Sequence, residues 1–142
     1  MPIEVLSPGR KAQKTARWAR IMTKWLVTYS CKTGAKWRFV EFGGITGAES
    51  YGIVDILAIR KDHRPKTIGA KRGDLFDMVL IQTKGGSARF PTQSEIDRLS
   101  ATAAHHRAKA VVLAVWRLGT KPDLYKLADR EWQLVQPYEI FG

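Results

Sequence analysis

Residues 51–60, YGIVDILAIR, and residues 76–84, FDMVLIQTK, are the two stretches that decide the fold. Each is a short, nearly continuous apolar run rich in branched side chains, which suits a strand buried on both faces better than one with a wet side. Each also carries an interruption that needs a physical reason. Asp55 is the one charge within IVDIL, and a carboxylate removed from water costs several kcal/mol unless a cation, a metal or a set of donors meets it. Gln82 and Lys84 close the second run two residues apart, so an extended chain places them on the same side. The pair of strands therefore predicts a carboxylate on one strand facing an amide and an ammonium on the next. A buried Asp55–Lys84 ion pair and a reactive site both satisfy that pattern.

Outward from this pair, Lys36 to Phe42 (KWRFVEF) is aromatic and branched and reads as a strand ending at Gly43-Gly44. Before it, Trp18, Ile21, Met22, Trp25, Leu26 and Tyr29 recur at helical spacing, predicting an amphipathic helix over about 13–29 with that face inward. Residues 1–12, with Pro2 and Pro8, read as an irregular arm. After the second run, Thr92-Gln93-Ser94-Glu95 has the form of a capping box and opens a helix to about Ala108, with Ile96, Leu99, Ala103 and Ala104 inward. Ala110 to Trp116 (AVVLAVW) is a buried strand and Trp132 to Val135 a further one, while Asp123 to Asp129 carries only a weak pattern. The order is helix, three strands, helix, strand: an α/β domain with helices covering a central mixed sheet.

One domain accounts for all 142 residues. Twenty-four Lys and Arg against thirteen Asp and Glu leave a net charge of +11, so attraction to a polyanion is the first electrostatic expectation. Nine of those cations (Arg10, Lys11, Lys14, Arg17, Arg20, Lys24, Lys32, Lys36, Arg38) fall in residues 1–40, against the single acid Glu4. A second basic group, Lys61, Arg64, Lys66, Lys71 and Arg72, lies in residues 61–75, read as a long basic loop between the two strands. Both groups are expected to flank the Asp55 site and to hold phosphates. With Cys31 as the single cysteine and only His63, His105 and His106 beside it, neither an intrachain disulfide nor a four-ligand zinc site is expected. His105 and His106 are adjacent and point about 100° apart on a helix, which suits a helix end better than one shared ion. No run of about 18 apolar residues and no signal-like start occurs, so a cytoplasmic protein without a membrane segment is expected. Trp18 and Trp25 share a helical face and also suit packing against a second subunit.

GIVDILAIR followed by MVLIQTKGG resembles the core of the PD-(D/E)XK nucleases, in which an Asp on one strand and an (E/D/Q)-x-K triplet on the next form the catalytic site. The Gln form is similar to the Mrr-type restriction nucleases, and the size to Holliday-junction resolvases and VRR-NUC-like modules. The resemblance spans about Trp37 to Trp116 and implies a restriction-endonuclease-like core of order αβββαβ, matching the order read independently above. It implies Asp55 as a metal-binding carboxylate, Gln82 as the variant second ligand, Thr83 through its backbone carbonyl, and Lys84 as the catalytic lysine. Mg²⁺ (or Mn²⁺) would be the cofactor, with no other small molecule. Gln93 matches a Gln that several of these nucleases place near the site, and a surface Gln in a first helical turn fits it equally. The family also has an upstream acid, usually on or just after the first helix. The 13–29 helix holds none, leaving Glu41 or Glu49, and Glu49 is preferred because its glycine-rich loop leads into Asp55. The expected function is metal-dependent hydrolysis of DNA phosphodiester bonds, on branched or damaged duplex, by a homodimer. A nuclease-fold subunit that binds DNA without cutting is the alternative, favoured by neutral Gln82 and the missing helix acid. An unrelated RNA-binding protein explains the charge but not Asp55.

Overall fold

The computed structural model describes residues 8–42, 52–63 and 69–142. Helix α1 (Pro8–Ser30) leads into strand β1 (Arg38–Glu41), followed by β2 (Ile56–Asp62), β3 (Leu75–Gly85), helix α2 (Gln93–His106), β4 (Ala110–Trp116), β5 (Asp123–Ala128), β6 (Glu131–Val135) and the short helix α3 (Pro137–Phe141). The strands form one six-stranded sheet in chain order. Only β3 and β4 are parallel, joined through α2; every other neighbour is antiparallel. The mixed sheet flanked by helices is the architecture expected, extended by two strands and a helix. The weakly patterned stretch holds a full strand, β5 over Asp123–Ala128, with Leu124 buried and the connection to β6 turning at Asp129 and Arg130 with positive φ. Among the described residues no helix is long and apolar enough to cross a membrane.

Alternation along the strands sorts the core into two halves. Ile56, Ala58, Val79, Ile81, Val112 and Leu124 face α1 and α3, meeting Leu26, Val27, Ile140 and Phe141. Leu57, Met78, Leu80 and Val111 face α2 and meet Leu99 and Ala103. Trp37 closes the first half: its Nε1–H donates to the Phe141 carbonyl at 3.0 Å while the Arg60 guanidinium lies 4.4 Å over its ring.

Three expectations need correction. Helix α1 begins at Pro8, inside the segment read as irregular, because proline's fixed φ suits a first helical turn where its missing N–H is not needed. Its buried face is also not the aromatic one. Ala19, Arg20, Thr23, Leu26, Val27 and Ser30 are buried, whereas Trp18, Trp25 and Tyr29 are exposed. Small residues let the helix sit close on the sheet, and the Thr23 and Ser30 hydroxyls satisfy themselves on the carbonyls of Ala19 and Leu26. The third concerns residues 61–75. Lys61 and Asp62 belong to β2 and Leu75 to β3, and the Gly73 N–H bonds the Asp62 carbonyl. The connection therefore leaves the hairpin at the end opposite Asp55 and Lys84, a strand length of about 20 Å away. Lys61, Lys71 and Arg72 do not flank the Asp55 end.

What does lie at that end is the start of α1. A Cβ built on Gly85 would fall 2.7 Å from Thr15 Cγ2 and 3.3 Å from the Thr15 carbonyl oxygen, so the helix rests on bare backbone immediately after Lys84. Gly85→Ala is expected to destabilise the protein by about 1–3 kcal/mol through overpacking, with part of the loss recovered in Gly85→Ala/Thr15→Ala. Urea unfolding of the three variants measures it.

Candidate active site

Strand β2 starts one residue after Asp55, not at Tyr51, and the reason is chemical. The chain bends at Asp55: its N–H donates to the Ile81 carbonyl at 3.0 Å, one position off the Ile56–Ile81 register. Its own carbonyl accepts from Phe42 N–H, also at 3.0 Å. The next ladder donor on β3, Thr83 N–H, then meets the Asp55 carboxylate instead of backbone. Oδ2 accepts from Thr83 N at 2.7 Å and from the Thr83 hydroxyl at 3.2 Å. Ionised acceptors make the shorter and stronger hydrogen bonds, so this carboxylate is fixed at the point where β1, β2 and β3 converge.

On β3 itself, Val79 and Ile81 face α1 and Leu80 faces α2, so Gln82 and Lys84 point to the α2 side and Thr83 to the α1 side. Gln82 is buried, 6% exposed, opposite Leu113 of β4. Its Oε1 has no hydrogen-bond partner among the described residues. An orphaned buried acceptor carries a desolvation cost of about 1–3 kcal/mol unless something outside the chain fills it.

The acid on this side of the sheet is Glu95, in the first turn of α2. Thr92 and Glu95 form the predicted capping box: Thr92 N–H donates to Glu95 Oε1 at 3.1 Å and Glu95 N–H to the Thr92 hydroxyl at 3.3 Å. The Thr92 backbone N–H is the largest influence on the Glu95 carboxyl and, against the opposing effect of burial, holds it below its ordinary 4.5; the Lys84 charge, the Thr92 hydroxyl and the Gln82 side chain lower it further. Lys84, Gln82 and Glu95 are thus neighbours on the α2 side, whereas the Asp55 carboxylate bonds the N–H and hydroxyl of Thr83, whose side chain points to the other side of the sheet. In the sequence, the capping-box pattern alone accounts for Glu95. The signal that finds it is topological: a short connection from the C-terminal end of β3 sets the first turn of the crossover helix above that end.

A group whose folded pKa is depressed contributes stability that is present above its unfolded value and is lost as pH falls through the folded value. For Glu95 that loss lies below pH 4.5. Gln serves the same capping position, so Glu95→Gln is expected to retain the fold at neutral pH and to flatten the acid limb of a stability-against-pH profile. Thermal unfolding from pH 3 to pH 7 reads the difference.

The other predicted residues separate clearly. Glu41 is occupied with α1: Lys24 Nζ donates to its Oε2 at 2.8 Å and Arg20 Nε lies 3.7 Å from Oε1. Arg20 is buried and Lys24 partly so, and neither is a free surface cation as expected. Lys11, Lys14 and Arg17 are exposed on the helix whose Thr15 touches Gly85. Gln93 turns away: with its amide oxygen towards Arg130, it accepts from Nη2 at 2.6 Å and Nε at 2.9 Å, beside the Arg130–Asp97 pair. His105 and His106 are exposed in the last turn of α2, where the helix's negative end favours them. Asp77 pairs with Arg60 at 3.6 Å on the far part of the hairpin. The expectations for Glu49, Arg64 and Lys66, and for the Arg10 side chain, lie outside the described residues.

A cleft of about 510 Å³ is lined by Phe42, Gly52, Ile53, Val54, Arg98, Ala101 and Thr102, and none of Asp55, Gln82, Lys84 and Glu95 lines it. Arg98 stands one turn beyond Glu95 on α2, bringing a guanidinium to the same end of the sheet. Among the described residues no three His, Cys, Asp or Glu side chains gather as a ready cation cage. Mg²⁺ requires less than that: one or two carboxylates, other oxygens, retained waters and a substrate phosphate. The orphaned Gln82 Oε1 and the Asp55 and Glu95 carboxylates are hard oxygen donors of the fitting kind. No protein-family model matches this chain, and no curated protein matches it.

Proposed function

We propose that this protein is a metal-dependent deoxyribonuclease with a restriction-endonuclease-like core, hydrolysing DNA phosphodiester bonds at the Asp55–Gln82–Lys84 end of the sheet. The observation that carries the reading is the buried Gln82 Oε1 with no partner among the described residues, placed beside an ammonium and within one residue of a bonded carboxylate. The order of α1, β1, β2, β3, α2 and β4, with β3 and β4 parallel, supports the same core. A divalent cation held by Asp55, Gln82, the Thr83 carbonyl and Glu95 would supply Lewis acidity and an acidified bound water. The chain's own groups do the rest. Lys84 presents its ammonium where negative charge grows on the phosphoryl oxygens, a preorganised electrostatic contribution. Thr83 holds Asp55 in one orientation through two hydrogen bonds. Lys14, Arg17 and Arg98 bind flanking phosphates.

A second reading, a nuclease fold that binds DNA without cutting it, draws on one observation. Asp55 Oδ2 already accepts two bonds from Thr83, and Gln82 brings no charge. Incubation with supercoiled plasmid, forked and four-way-junction DNA, in Mg²⁺ and in EDTA, separates the two. EDTA-sensitive cleavage is expected; binding without cleavage of all three substrates establishes the second reading.

A further inference from the structure

The outward face of α1 is built of aromatic rings and cations. Trp18 is 44% exposed, Trp25 45% and Tyr29 61%. At 3.6 residues per turn, Lys11, Lys14, Trp18, Trp25 and Tyr29 fall within an arc of about 60° and form one stripe along the helix. The Trp25 and Tyr29 rings are already stacked, 5.4 Å between centroids and 16° between planes. Lys32 lies 5.2 Å from the Tyr29 centroid, and Lys121 reaches it from the β4–β5 connection at 6.0 Å.

We propose that this stripe is a binding surface for unpaired nucleic acid, with bases stacking on the Trp18, Trp25 and Tyr29 rings and phosphates running past Lys11, Lys14, Lys32 and Lys121. Stacked aromatics bordered by ammonium groups are the physical requirement for holding a single strand, since every base presents a π face whatever its identity. The same charges disfavour a second copy of the chain as occupant. Residues 5–40 contain no acid, so two such helices laid together in either direction would set lysines against lysines with nothing to neutralise them. A polyanion is the complement. Ribose and deoxyribose strands share the recognised chemistry, so both are substrates for the test.

Fluorescence anisotropy with labelled oligo-dT and oligo-U of about twelve nucleotides, and with a duplex of the same length, tests the surface within the usual range of single-strand site sizes. Trp25→Ala/Tyr29→Ala is expected to weaken both single strands about tenfold or more while changing duplex affinity less than about threefold, as loss of stacking requires. Binding of oligo-dT alone or oligo-U alone with that loss supports the surface and fixes its sugar. Equal losses on single strand and duplex, or no loss on either, overturn it. So does sedimentation showing a wild-type dimer that the double variant converts to monomer with single-strand affinity unchanged. Both rings are solvent-exposed, so the variant retains its core, and the Lys84 site is untouched. A cleavage-inactive protein that still binds single strands through α1 leaves this inference intact.

Discussion

Lys84→Ala is expected to lower the rate of Mg²⁺-dependent DNA cleavage by about 10²–10³-fold, the usual loss when one preorganised donor is taken from a developing oxyanion. Affinity should change far less, because one ammonium is a small part of a multi-phosphate contact. The side chain is half-buried at the end of β3 and acts on Glu95 across the gap to α2. Its removal therefore also relaxes the Glu95 carboxyl towards its ordinary value, which a pH profile of stability detects independently of cleavage. Lys84→Arg is a poor substitute, since a broad planar fork does not place charge where a compact ammonium does. Single-turnover cleavage and anisotropy on the same DNA measure the two effects. Equal losses in rate and affinity would show that Lys84 only binds backbone.

The second large effect is on folding. Arg20 is buried, its Nε 3.7 Å from a Glu41 carboxylate that Lys24 also grips at 2.8 Å. Arg20→Glu places a buried carboxylate beside Glu41 and is expected to destabilise the protein by about 3–5 kcal/mol, the range for breaking a buried pair and leaving a charge without compensation. Lys24→Glu, at a more exposed position, should cost about 1 kcal/mol or less. Arg20→Met should fall between them, since apolar replacements of buried ions keep packing without stranding a charge on that residue. Urea denaturation orders the three. The ordering bears on the choice of variants: charge reversal at Arg20 perturbs stability, whereas Lys14 and Arg17 can be reversed to test phosphate contact alone.

The strands, the crossover helix and its capping box were legible because each rests on local chemistry: apolar runs at strand length, and Thr92 and Glu95 at capping distance. The inward face of α1 was not. Hydrophobicity ranks Trp18, Trp25 and Tyr29 as core, but helix-to-sheet distance is set by the smallest residues, and Ala19, Thr23 and Ser30 lie on a different arc. The role of Arg20 was hidden for the same reason, since its partner Glu41 is 21 positions away and periodicity knows nothing of partners. At the candidate site, Asp55, Gln82 and Lys84 were singled out by their unsuitability for apolar strands. Glu95 was passed over because its capping role explained it completely. The basic loop was misplaced for want of one topological step: in a hairpin, the connection lies at the end opposite the free termini of both strands.

The sheet order repeats the chain order, and this fixes how the protein assembles. The β1–β2, β2–β3, β4–β5 and β5–β6 contacts join sequence neighbours, the local kind of pairing that forms quickly. The β3–β4 contact is different: a parallel pair must wait for its crossover to close, at an entropic cost that precedes any gain from the contact. Gln82, Lys84 and Glu95 all lie on that crossover unit. The two antiparallel halves of the sheet can therefore pair before the residues of the candidate site are brought together. The candidate site is assembled only when β3 and β4 pair across α2.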